Sequence, residues 1–298
     1  MKIVLPLPVT LTSLFIVTLT GEFDTPWHLA GPHRKAAMAA LGTPRLRLTY
    51  HPTPWRPTAV TLTYEERRLM RRSRQHLAVS STAPPHASPG SVQASRAVAR
   101  ALAHTHRGLL IDPLTHAALP AHDPEPAAFD LTDGWLGWDI QVHDDATCPP
   151  CNPADTAACD GLTITSRGLR RFALPEITLD GAACAHTLCA TNLLRTVATH
   201  LVTGHLAFAV AHPEARRRAI DDHLPLPPGP LGVRLTPCEP ASTPGRGSIR
   251  RLRVGPATGT GPAACLKVGP PSGFTGSLND WLCATQSPAR ATLTSIAA

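Results

Sequence analysis

The chain has 298 residues, 43% of them apolar and 16% charged, with a net charge of +7 and a pI near 9.3. That balance is enough for a sizeable core and excludes a chain too polar to fold, while the length allows one large domain or two small ones. Arginine (25) displaces lysine (3) and there are 32 prolines. Such a composition resembles that encoded by high-GC actinobacterial genomes and lowers the weight of any single Arg or Ala signal.

The charge is unevenly laid out. Residues 1–111 carry 14 Lys/Arg against 4 Asp/Glu, residues 112–160 carry 0 against 10, and residues 161–298 carry 14 against 7, giving blocks of +10, −10 and +7. An acidic block between two basic ones suits an anionic partner on the basic surface, or mutual compensation across the fold, and compensation is the simpler account.

At the N-terminus, a lysine followed by an apolar run is similar to a secretory leader. Pro6 and Pro8 interrupt it, however, and SLFIVTLT (Ser13–Thr20) has the β-branched text of a strand. The expectation is a first core strand in a cytoplasmic protein, with export as the alternative. Thr, Ser and Pro also break the run below what a membrane span needs.

Pro32 then opens a short alanine-rich helix that Gly42 stops, and Leu46–Tyr50 reads as a strand. Thr63 and Glu66 form a capping-box pattern before the helix YEERRLMRRSR, followed by the strand HLAVSS. Ser91 is placed to cap SVQASRAVARALAHTHR, whose Ala94, Ala97, Val98, Ala101 and Leu102 share one face, and LLIDP is a buried strand.

WLGWDIQVH (Trp135–His143), GLTIT and EITL read as further strands before a long helix from Ala183 to His205. LGVRLT and RLRVG follow beyond a proline-rich stretch. This order predicts an α+β fold, a mixed and largely antiparallel sheet with helices on one face. The expected organisation is an α+β domain over residues 1–220, divisible into units of about 1–111 and 124–215. A Pro-rich linker at 221–230 and a small β-rich region at 231–298 complete it.

The segments RAVARALAHTHRGLLIDPLTH and LTITSRGLRRFALPEITL, with the long helix after them, resemble an uncharacterised, chiefly actinobacterial family carrying a domain of unknown function. The similarity spans roughly Gln75 to Gly204 and implies an α+β domain with no assigned activity or catalytic residues.

TCPPCNPADTAACD (Thr147–Asp160) is the most chemical stretch. Cys148 and Cys151 have the spacing that lets two thiolates share one Zn²⁺, Cys159 follows, and Cys184, His186, Cys189 or His143 could complete the set. No second CxxC knuckle exists, and the acidic surroundings oppose a low-pKa redox pair. The readings rank as structural loop, then zinc site, then disulfides, with no bound metal expected.

His143 and Asp144 beside this loop offer the alternative of a metal-dependent hydrolase. GPATGTGP (Gly255–Pro262) reads as a turn-rich loop rather than a phosphate cradle, and His200 and His205 point to different sides of their helix. Arg167, Arg170 and Arg171 crowd one turn, and Arg67 and Arg71 share a helix face, so these are the candidate anion contacts. Aromatic residues make up 4%, which disfavours sequence-specific nucleic-acid reading. The combined expectation is a binding or interaction module rather than an enzyme.

Overall fold

In the computed structural model, residues 1–21, 23, 27–57, 60–142, 159–226, 232–238 and 265–286 are described. In chain order they form β1 (Lys2–Pro6), β2 (Leu11–Leu19), α1 (Arg34–Ala40), β3 (Leu46–His51), α2 (Tyr64–Arg72), β4 (Gln75–Ala83), α3 (Gly90–Thr105), β5 (Leu110–Asp112) and β6 (Ala117–Leu119). These are followed by β7 (Gly137–Val142), β8 (Leu162–Arg167), β9 (Glu176–Ala182), α4 (Thr187–Ala211), β10 (Arg217–Asp221), β11 (His223–Pro225), β12 (Gly232–Pro237), β13 (Cys265–Gly269) and α5 (Leu278–Gln286). Short 3-10 turns lie at Pro85–Ala87, Leu169–Phe172 and Cys184–His186. The fold is α+β, built on three mostly antiparallel sheets.

The first sheet has the order β3-β4-β2-β5-β6, so the β-branched run near the N-terminus is its central strand. Alternation along β2 serves two cores. Phe15, Val17 and Leu19 join the main core with α3, and Ile16 joins Met70 of α2 with Leu109 and Ile111 on the opposite face. Helices therefore cover both faces of this sheet, where one face was expected.

Helix α2 starts as its sequence dictates. The Thr63 hydroxyl accepts from the Glu66 amide at 3.3 Å, and the Glu66 carboxylate accepts from the Thr63 amide at 2.7 Å. Helix α3 differs from expectation at its start, since it begins at Gly90 after Pro89 without a side-chain cap, and Ser91 lies inside the first turn.

The second sheet has the order β11-β12-β13-β9-β8-β7, with only β13 and β9 parallel. Leu193, Leu194, Val197, Leu201 and Val202 form the buried stripe of α4, which packs on β8 and β9. The proline-rich stretch is not a simple boundary. Residues 217–225 form β10 and β11, and β12 and β13 return to this same sheet, while 227–231 lie outside the described residues. Strand β10 also pairs with β1, a strand not anticipated at Lys2–Pro6, and this ribbon links the two sheets. One continuous apolar core runs through both.

Charged groups are built into that core. Arg96 of α3 donates from Nε and Nη2 to the two Glu125 oxygens at 2.7 and 2.6 Å, and its guanidinium lies 3.3 Å from the ring centre of Trp135. Arg100 Nε stands 3.0 Å from the same carboxylate. Arg171 is ion-paired with Asp112, and both side chains are fully buried. Phe15, Phe129 and Phe172 complete an aromatic cluster around Trp135. The acidic block thus compensates the arginines inside the molecule as well as on its surface.

Candidate functional site

The sheets and the β5–β6 turn enclose a polar cleft of about 380 Å³. Pro113, Leu114 and His116 come from that turn, Asp139 from β7, and Thr165, Ser166 and Arg167 from β8. Arg170, Glu176 and Cys265 supply the rest from the 3-10 turn, β9 and β13.

Burial alternates along β8, so Ser166 faces inward while Thr165 and Arg167 face the cleft side. Arg167 donates from Nη2 to Asp139 Oδ2 at 2.6 Å, a diagonal pair across the β7–β8 ladder. Gly168, with φ +112, bends the chain into the 3-10 turn, and a Cβ there would come within 2.5 Å of the Trp135 carbonyl oxygen.

The amides of Gly168, Leu169 and Arg170 converge as an anion nest, which an internal anion already fills. The Glu176 carboxylate accepts from them at 3.0, 3.4 and 3.4 Å and from the Ser166 hydroxyl at 2.7 Å. A ligand anion is therefore left to the side chains. Arg170 is exposed and has no ion-pair partner among the described residues.

His116 adopts φ +57, a left-handed conformation costly for a non-glycine residue, and the neighbouring Thr115 hydroxyl is buried without a hydrogen-bond partner among the described residues. Burial holds the His116 pKa below the usual imidazole value, and the nearby Arg167 guanidinium adds to this. At neutral pH the ring offers one donor and one acceptor, leaving the cleft's positive charge to the two arginines.

The hydroxyls and the cysteine that line the cleft have partners of their own. Ser166 Oγ donates to Glu176 and accepts from the Ile177 amide at 2.9 Å, and the Thr165 hydroxyl is 2.9 Å from that of Thr178. Cys265 is bridged to Cys238 in a disulfide that ties the ends of β12 and β13, with Cα atoms 5.5 Å apart. Antiparallel pairing of β12 and β13 brings together these two cysteines, 27 residues apart in sequence.

The expected site residues separate into groups. Arg167 and Arg170 meet at the cleft. Arg171, expected beside them, turns into the core and pairs with Asp112, so it is withdrawn as an anion contact. Arg67 and Arg71 are exposed on α2, which contributes nothing to the cleft. His200 is exposed while His205 is buried, in keeping with their spacing.

His143, Asp144, Cys148, Cys151, GPATGTGP and RLRVG lie outside the described residues. Cys159 is described and buried, with its Sγ 3.9 Å from that of Cys184. No three metal-ligating side chains converge among the described residues.

Sequence reasoning missed Asp112, His116, Asp139 and Glu176. The one local signal was a glycine before an arginine-rich turn, and the carboxylates that sort those arginines come from distant strands. Compared with known proteins, the chain matches no family model, no curated relative and no solved structure, and the resemblance drawn from its sequence finds no support there.

Proposed function

We propose that the protein is a binding module without catalytic activity of its own, and that it takes a small anionic group in the cleft between Arg167, Arg170 and His116. The carrying observation is Arg170, a cation on the cleft wall with no ion-pair partner among the described residues. The cleft's volume suits a small ligand. The engagement of Ser166, Thr165 and Cys265 supports binding over group transfer.

The test is calorimetric titration with inorganic phosphate at low ionic strength. Binding should weaken as salt rises and fall by about tenfold or more in the Arg167→Ala/Arg170→Ala variant, since each lost charge-assisted contact carries at least ~1.4 kcal/mol. No binding by the unaltered protein at low salt would refute the reading.

The helical segment 184–211 is long and apolar enough to cross a membrane. That it serves instead as a core helix is supported by its buried stripe and by the exposed Arg195 and His200 on its outer face. A cytoplasmic location draws on β2, which makes residues 11–19 part of the sheet. The Cys238–Cys265 disulfide favours the exported alternative. Thiol counting on protein made in reducing and oxidising compartments separates the two.

A further inference from the structure

We propose that Cys159 and Cys184 are two thiolate ligands of a tetrahedral Zn²⁺ ion. Their sulfurs are 3.9 Å apart. Two thiolates bound at about 2.3 Å to one tetrahedral ion stand ~3.8 Å from each other, whereas a disulfide would need about 2.05 Å. That spacing fits two ligands of one ion and is also that of a thiol–thiol contact, and metal titration separates the two.

The segments bearing these thiols are held in place by a third element. Asn279 of α5 is buried, its Oδ1 accepting from the Ala183 amide at 2.8 Å and its Nδ2 donating to the Cys159 carbonyl at 3.2 Å. One side chain thus fixes the backbone at Cys159 and immediately before Cys184, the support that metal-ligand pairs use to hold their geometry. One turn further along α5, Cys283 Sγ lies 3.9 Å from His186 Nε2, placing a second pair of zinc-compatible donors two residues from Cys184.

A metal-free chain was expected because the sequence lacks a second CxxC knuckle. The structure changes that weighing by bringing together two cysteines 25 residues apart. Among the described residues no third His, Cys, Asp or Glu joins them, so the proposal concerns this pair and leaves the other positions of the ion unassigned. On binding, each thiol releases its proton to solvent and presents a thiolate.

The experiment uses the full chain, purified with reductant, and zinc and cobalt alone as probes. Cobalt should produce a near-ultraviolet thiolate charge-transfer band at one equivalent, displaced by zinc. Zinc should protect the half-buried Cys184, and not Cys189, from maleimide alkylation read by peptide mass spectrometry. Cys159→Ser and Cys184→Ser should each weaken zinc binding by more than about tenfold, with Cys189→Ser unchanged. The alkylation measurement needs no variant and so holds if a substitution prevents folding. Absence of the thiolate band, or equal alkylation of Cys184 with and without zinc, would overturn the assignment.

Discussion

Arg170 and Arg171 are adjacent in sequence and occupy opposite environments. Arg170 stands in solvent on the cleft wall, whereas Arg171 is fully buried against Asp112 in the seam between the sheets. The 3-10 turn explains the divergence, because three residues per turn set neighbouring side chains about 120° apart. Gly168 fixes the orientation of that turn, so one arginine faces out while Leu169, Arg171 and Phe172 face in. Local density of arginine is thus a poor guide to a binding surface. Which arginines meet a buried carboxylate decides how each is used.

The sharpest way to break this contrast is to remove a carboxylate from the seam. Asp112→Asn or Glu125→Gln leaves a buried guanidinium without its counter-charge, which costs about 3–5 kcal/mol, a large part of a domain's whole stability. Arg170→Ala should shift stability by less than about 0.5 kcal/mol. Urea denaturation of the three variants decides the matter. Equal midpoints would mean that the seam and the cleft do not differ as their burial indicates.

A second test concerns a buried base with no carboxylate. His205 on α4 is 1% exposed, neither ring nitrogen has a hydrogen-bond partner among the described residues, and burial, reinforced by the Arg218 guanidinium, lowers its pKa to about 4. Arg218 lies across Gly204, its Nη2 2.9 Å from where a Cβ would stand, and over the Phe208 ring. Above the unfolded value of 6.5 the imidazole is neutral in both states and stability does not depend on it. As pH falls from 6.5 towards 4 the unfolded chain takes up a proton that the folded chain refuses. Roughly 3 kcal/mol is lost over that window. Comparing unfolding free energies at pH 7 and pH 4.5 should show His205→Leu losing markedly less than the parent, and parallel curves would discount the mechanism.

Much of the fold could be read from local text. The β-branched run of β2, the capping box at Thr63 and Glu66, and the apolar stripe of α4 each follow from a pattern carried within one element. What escaped depends on pairing across long separations. Strand β1 was not anticipated, because its text was weighed as part of a leader-like apolar run; its Pro6 is tolerated at a strand end in a two-stranded ribbon with β10. Strand β13 and its disulfide depend on β12 and β9, and the proline-rich stretch gave no sign that the chain beyond it rejoins the same sheet. At the site, Arg167 and Arg170 were legible as a cluster. Their separation from Arg171 was not, because Asp112, Asp139 and Glu176 reach them from other strands.

A small change in stability is also expected at Asp139, whose pair with Arg167 is one-third exposed on both sides. Such a pair contributes about 0–1 kcal/mol, since solvent screens it and both side chains lose freedom in making it. Asp139→Asn should therefore leave the unfolding midpoint almost in place. Its effect on anion binding should run the other way. Asp139 holds Arg167 at 2.6 Å and places a negative charge beside the position a ligand anion would take. Neutralising it frees one guanidinium and removes the repulsion, a gain on the order of 1 kcal/mol for charges about 4 Å apart that water screens fully, or about fivefold in affinity. Phosphate titration of Asp139→Asn should show tighter binding at unchanged stability. Weaker binding would mean that the Arg167–Asp139 pair positions the arginine for its ligand, and the cleft would then resemble the seam in needing its carboxylate.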